Sequence, residues 1–521
     1  MIRDGVPRSG IPVKSSGQGP RFKMTISLFG RHCRFSLQSL AFEPRALRRS
    51  EYGILQSCTQ NGWTRRVVTV PVCLALLGAL TACTSFRARP LDVDRGLALF
   101  EARRLDDPGL RQFIERTEHA QLARWPLASW DFAHLTLAAD YYRADLSLAR
   151  AKLTAAKAAE QTAGARPNPA LALSPTYDTT AEPGISPWTL GFTFDIPIET
   201  AGKRGYRIAQ AQHLANAARL QVANAAWQVR SQVRISLVQL HSAERAAEIL
   251  TRQLETQREA VLLLQRRLDI GEASVADVQL VRVAAANAAL QLRETQKETA
   301  QARVGLAAAL GVPETALQGV DVSFQGIDSL PSPDRAAPSR REALLNRTDV
   351  LSALADYEAS QSALQLEIAR QYPDIHLGPG FSHGYTASEL ENAVTFGVSL
   401  TLPLLNRNQG PIAEAQAHRQ EAAATFDAVQ AQAVAEVEQA VSAYRDSVAK
   451  LQTAEQLLAE QRQRMSSTQA LFDSGEANRL TLVQARGELT AIELARAQAL
   501  TEAQLALGQL QGATQGAGTP P

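Results

Sequence analysis

The side chains of this chain that could do chemistry are few, and their spacing fits no catalytic arrangement. Hydrolytic triads, phosphate-cradling glycine loops and histidine–carboxylate metal spacings are all absent from the 521 residues. The reading is therefore not an enzyme, with no catalytic, cofactor-binding or metal-binding residue expected. His376 and His383 fall in a predicted strand and a predicted loop, and read as incidental. More suggestive are two acidic pairs, Asp269 with Glu272 and Asp473 with Glu476, each astride a glycine, Gly271 or Gly475, and repeating 204 positions apart. Carboxylates so placed do electrostatics: rings of them favour cations at an entrance. The plainer alternative is a solvated helix end with ordinary turn residues.

The cysteines Cys33, Cys58, Cys73 and Cys83 all lie in the first 83 residues, which excludes a disulfide framework or Cys-based metal site beyond them. Arg65 and Arg66 precede an apolar run, Val67 to Leu80, that ends in Leu80-Thr81-Ala82-Cys83. A basic start, a short apolar run and small residues before a cleavage point describe a secretory signal. The run is too short to span a bilayer as a helix, which takes about 20 residues. The ending resembles a bacterial lipobox, which implies that Cys83 becomes the lipidated, palmitate-bearing first residue of the mature protein; the alternative is an uncleaved signal anchor. Residues 1–60 are basic and aperiodic, a doubtful extension, with translation expected to start near residue 60. Net charge is only +2, so no field suggests nucleic acid.

The elements that would position the acidic pairs come in duplicate. Arg143-Ala-Asp145-Leu146 recurs as Arg347-Thr-Asp349-Val350, and Leu171, Leu173, Pro175 and Tyr177 recur as Ile375, Leu377, Pro379 and Phe381, all at an offset of 204. Internal repetition at a nearly constant offset sets the architecture. The expected layout is a signal at 61–82, a linker and anchor at 83–130, a first repeat at 131–315, an inter-repeat linker at 316–339, a second repeat at 340–512 and a flexible tail at 513–521. Each repeat reads as helix, two strands, long helix, turn, helix.

The strands alternate strictly. Trp188, Leu190, Phe192, Phe194 and Ile196 interleave with Thr189, Gly191, Thr193 and Asp195; Val394, Phe396, Val398, Leu400 and Leu402 interleave with Thr395, Gly397, Ser399 and Thr401. A period of two puts the apolar set on one face, and apolar-out, polar-in over roughly 9–11 residues is the pattern of a transmembrane β-strand. Thr193, Asp195, Ser399 and Thr401 are then expected to face a barrel lumen. The connecting loops are expected at Pro183–Pro187 and at His383–Asn392. An ordinary half-buried hairpin is the alternative, but four strands stand among nothing except helices. Four strands leave edges that lipid cannot satisfy, and closed barrels take at least about eight, so several chains must share one barrel.

Between Tyr206 and Leu268 no proline or glycine interrupts the chain. Val233, Leu240, Ala247, Leu254, Val261 and Leu268 recur every seven residues, and Val437, Tyr444, Leu451, Leu458, Met465 and Phe472 follow 204 later. A heptad kept this long marks coiled-coil packing. Gly271 and Gly475 sit where a helix ends, so each long helix turns back at a tip remote from the strands.

This ordered set, twice over and behind a lipobox, resembles the TolC-like outer-membrane efflux factors, from about Leu97 to Gly512. The resemblance implies a mainly α fold with a small β part: a coiled-coil helical barrel, and four transmembrane strands per chain completing a twelve-stranded barrel in a homotrimer. It implies a channel subunit lipid-anchored in the outer membrane, exporting drugs or metal cations in partnership with a periplasmic adaptor and an inner-membrane RND-type pump. Pro197 and Pro403 match the family's strand-to-helix junction, and the tips Asp269, Gly271, Glu272, Asp473, Gly475 and Glu476 would form the periplasmic aperture and adaptor contact. The stretch Ile198–Tyr206 is similar to that of the cobalt-zinc-cadmium subgroup. Rival readings are a secretion exit duct, a periplasmic adaptor and a structural envelope coiled coil.

Overall fold

The computed structural model describes residues 86–336, 340–386 and 389–515. The extension 1–60, the signal 61–82, Cys83 and residues 516–521 lie outside the described residues. The described residues from Pro90 onward form one compact unit, which holds every element below.

In chain order the elements are α1 (Val93–Glu101), α2 (Pro108–Glu118), α3 (Phe132–Tyr142), α4 (Ala144–Ala163), β1 (Ala170–Tyr177), β2 (Trp188–Ile198), α5 (Lys203–Asp269) and α6 (Val275–Leu310). After a linker carrying two short helical pieces, including α7 (Pro333–Ala336), come α8 (Arg340–Asn346), α9 (Thr348–Ala369), β3 (Ile375–Thr386), β4 (Glu389–Leu400), α10 (Gln409–Asp473) and α11 (Arg479–Thr514). The duplication holds to the residue at several points: α4 and α9 begin 204 apart, and α5 and α10 end 204 apart.

Helix α5 runs 67 residues without a break, about 100 Å at ~1.5 Å per residue. Its neighbours are α3, α4, α6, α9 and α11, while α10 packs on α9 and α11. The heptad positions face these neighbours in both copies. Val233, Leu240 and Leu254 are buried in α5, as are Val437, Tyr444, Leu451 and Leu458 in α10. The last two heptad positions of each helix, nearest the tip, are only half-buried.

The repeated Arg-x-Asp motif acquires a job. Arg143 and Arg347 are the residues preceding α4 and α9, with nearly identical backbone angles, and each guanidinium pairs with the aspartate two residues on. Each also donates to a carbonyl near the end of its own repeat's last helix, Ala308 (3.2 Å) for Arg143 and Ala513 (3.1 Å) for Arg347. The motif ties the first helix of a repeat to its last, and carbonyls in a helix's final turn are natural acceptors.

Residues 86–130, expected as linker and anchor, instead contribute α1 and α2. Leu110 and Ile114 of α2 join Trp130, Leu135, Leu240 and Leu306 in the largest buried cluster. The inter-repeat linker closes it: Trp130 N–H donates to Asp321 O, Ser323 N–H donates to Trp130 O, and Leu317 and Ile327 pack inside.

Candidate functional site

The four strands form one antiparallel sheet in the order β1-β2-β3-β4, with β1 and β4 as its edges. Register carries the alternation across all of them. One transverse row is Leu173–Phe192–Phe381–Val394, all apolar; the next residues along form the row Ala172–Thr193–Gly380–Thr395 on the opposite face. The apolar face lies open to the surroundings, with Leu173 72%, Val394 84% and Phe396 70% exposed. No side chain of β1 or β2 is buried. At the hairpin end of the apolar face stand Tyr177, Trp188 and Tyr385, the first two in edge-to-face contact with ring centroids 4.9 Å apart. Tyr and Trp at the rim of an apolar band match the aromatic girdles of membrane barrels. Among the described residues no helix is long and apolar enough to cross a membrane.

Of the expected lumen residues, Thr193, Asp195 and Ser399 share the small-residue face, whereas Thr401 lies just past the end of β4. Strand ends differ from expectation at two places. Pro197 sits inside β2, paired with His376, and not at a junction beyond the strand; Pro403 does lie past β4. The loop expected over His383–Asn392 is shorter, because β3 and β4 extend into it. His383 is a strand residue on the apolar face, its Nδ1 2.7 Å from Asn392 Oδ1. Backbone pairing continues there because an antiparallel ladder needs no particular side chain.

The passage from β2 into α5 is a tied elbow. Ala201 and Gly202 both take positive φ, 53° and 72°. Lys203 Nζ lies 2.7 Å from Asp374 Oδ1 and donates to Tyr372 O at 2.7 Å, while Thr200 donates its N–H to Asp374 and its hydroxyl to Pro373 O. Arg207 pairs with Glu199 (2.5 Å), which raises its pKa through a direct hydrogen bond, and donates to Ala163 O. Lys203 is buried, so its charge is held by these partners. The second elbow is lighter: Asn408, also at positive φ, donates to Glu367 O and its carboxylate. Sequence reasoning missed Lys203, Asp374 and Arg207 as organisers of the junction. Lys203 and Asp374 are 171 positions apart and nothing local announces the pair.

Both long helices stop at the glycines, as their spacing implies. After α5, Gly271 N–H donates to Leu268 O and Glu272 N–H to Arg267 O; after α10, Gly475 N–H donates to Phe472 O and Glu476 N–H to Leu471 O. This crossed pair of bonds is the Schellman stop, and it requires the left-handed backbone that both glycines adopt, φ +80° and +82°. The return helices are capped in register too, by Ser274 with Asp277 and by Asn478. The Ser274 hydroxyl holds the Asp277 carboxyl below its usual range. Gln265 Nε2 donates to Asp269 and Gln469 Nε2 to Asp473. Asp269, Glu272, Asp473 and Glu476 are all exposed.

The model of the outer membrane efflux protein family matches residues 139–312 and 340–516, one span for each repeat. This chain belongs to that family. It is 28% identical over 216 residues to the cobalt-zinc-cadmium resistance protein CzcC of Cupriavidus metallidurans, covering 42% of this chain and 50% of that one. It is 26% identical over 302 residues to the pyoverdine export outer membrane protein OpmQ of Pseudomonas aeruginosa, covering 55% and 60% respectively. These matches span between half and three-fifths of the relatives' lengths. In fold it is similar to the outer membrane protein VceC of Vibrio cholerae, with a TM-score of 0.60 at 21% identity over 74% of this chain and 96% of that one. The resemblance read from the sequence, and the mainly α fold with a small four-stranded sheet, are thus borne out in this efflux family member.

Proposed function

We propose that this efflux family member is the outer-membrane channel subunit of a tripartite pump, a passive gated conduit for small solutes. The observation that carries the reading is the sheet. One face is a continuous exposed apolar band, the other is small and polar, and neither bears a packed helix. That is a costly surface in water and a fitting one in lipid. The edge strands β1 and β4 need partners there, and β1 of one copy meeting β4 of the next supplies them. Three copies give twelve strands and a homotrimer. The helices, of which α5 and α10 are about 100 Å long by their residue count, then form a periplasmic tunnel. Its aperture and adaptor contact are Asp269, Gly271, Glu272, Asp473, Gly475 and Glu476, with an inner-membrane pump beyond supplying the energy. Cys83 anchors the chain to outer-membrane lipid, and its replacement by serine should abolish labelling by radioactive palmitate.

An adaptor or structural coiled coil needs neither duplicated strands nor an apolar sheet face. The deciding experiment is native mass of the detergent-extracted protein followed by conductance in planar bilayers. A trimer with small, cation-preferring conductance supports the channel. A monomer without conductance overturns it.

A further inference from the structure

The small-residue face of the sheet is nearly free of charge. Along β1 it carries Ala170, Ala172, Ser174 and Thr176, and along the other strands mostly Gly, Ser and Thr. By register its ionisable residues are Glu389 and Glu391 at the hairpin end and, roughly 26 Å from Glu391 along β3 at ~3.3 Å per residue, Asp195 and His376 beside the elbow. His376 Nδ1 lies 2.8 Å from Asp195 Oδ1. An ionised carboxylate only accepts, so Nδ1–H donates and the neutral ring keeps its lone pair on Nε2. Nε2 has no partner among the described residues, and the side chain is 37% exposed.

Other histidines pair with carboxylates, but differently. His134 and His418 have carboxylates near both ring nitrogens, and His213 meets Glu358 between α5 and α9. Only the His376 pair, among the described residues, stands on the small-residue face.

A carboxylate holding one ring nitrogen so that the other is presented as a ligand is the usual support of metal-binding histidine. We infer that Asp195 and His376 form a weak, open relay site for borderline-soft divalent cations such as Zn²⁺ on the wall of the conduit; this rests on the channel reading above. No cluster of three or more potential ligands exists among the described residues, so each copy offers one imidazole and water completes the shell. Such a site suits passage, since conduction needs binding loose enough to release. Imidazole favours zinc-type ions over Mg²⁺, which keeps to oxygen ligands.

The test is single-channel recording in potassium chloride with Zn²⁺ added, on the full protein and three variants. Zn²⁺ should reduce the potassium current reversibly where Mg²⁺ does not. His376→Ala should raise the half-blocking Zn²⁺ concentration at least tenfold while keeping the potassium conductance, and Asp195→Asn should raise it less. His383→Ala, on the opposite face, should leave it unchanged. Equal Zn²⁺ block in wild type and His376→Ala, or no block in wild type that conducts potassium, overturns the site while leaving the channel standing. Absence of any potassium conductance removes both.

Discussion

The two repeats share a skeleton and differ in how the middle of their long helices is packed. In the first, the middle of α5 and the C-terminal end of α6 sit in a core completed by α2, α3 and the inter-repeat linker. In the second, the matching part of α10 and α11 has only small clusters around Tyr444, Leu507 and Leu510. What the copies hold in common is geometric: tip glycines, heptad positions and the Arg-x-Asp tie. Side-chain packing has diverged around that frame. Substitutions 204 apart therefore become a controlled comparison, with unfolding followed by circular dichroism in detergent.

The largest effect should come from Leu306 and Leu510, both almost fully buried and 204 apart. Leu306→Ala should cost about 3–4 kcal/mol and Leu510→Ala about 2–3, since the smaller cluster near the chain's end can collapse around the gap. Equal losses would break the claim of unequal cores. Next come the ties, with the order reversed. The Arg347 side chain is 6% exposed and also meets Glu436 at 2.7 Å, whereas that of Arg143 is 25% exposed. Arg347→Ala should cost about 2–3 kcal/mol by stranding half-buried carboxylates, and Arg143→Ala about 1.

A third contrast is titratable. Asp140 in the first repeat stands where the second has Leu344, and one of its carboxylate oxygens is buried without a hydrogen-bond partner. Burial pushes its pKa up to about 6, against the pull of Arg150 and Arg230. A folded-state pKa above the unfolded 3.8 means that the folded chain binds the extra proton. Stability is therefore higher below about pH 4 and lost as pH rises through 6. Relative to Asp140→Asn, the wild type should lose about 1–2 kcal/mol between pH 4 and pH 7, discounted for its partial exposure. Parallel pH profiles would dismiss the idea.

At the tips the copies should behave alike. An added Cβ at Gly271 or Gly475 meets nothing within 4 Å, so the penalty is purely that of the backbone. Gly271→Val and Gly475→Val should each cost about 1–2 kcal/mol locally and lower export in cells while trimers still form; normal resistance in both would refute the tip assignment. The smallest effect belongs to the Arg479–Glu259 pair, 2.6 Å apart, which links the second hairpin to the first and has only Val275 as its counterpart. A double-mutant cycle should return under about 1 kcal/mol for so exposed a pair.

How far the sequence could be read follows from the range of each interaction. The alternation of Trp188–Ile196, the heptads from Val233 and Val437, and the Gly271 and Gly475 stops are local signals, and they appear where the spacing put them. The core around Trp130 was illegible because it joins α2, α3 and the inter-repeat linker to the long helices across some two hundred positions. The extra pairs of β3 and β4 and the placement of Pro197 within β2 were hidden, since ladder bonds leave little mark on side-chain type. The elbow tie of Lys203 to Asp374, and the pairing of His376 with Asp195, bring together residues that no spacing rule connects.

Helix α5 is fully buried at Val233 but only half-buried at the heptad positions Val261 and Leu268 towards Asp269, which makes it a lever. The 36 residues between Val233 and Asp269 span roughly 54 Å at ~1.5 Å each. A tilt of about 10° moves atoms 5 Å from the pivot by less than about 1 Å, within what packed side chains absorb by repacking, yet carries the tip roughly 9 Å, close to a helix diameter. Small adjustments around the gripped middle of the helix are thereby multiplied into displacements as wide as a neighbouring helix.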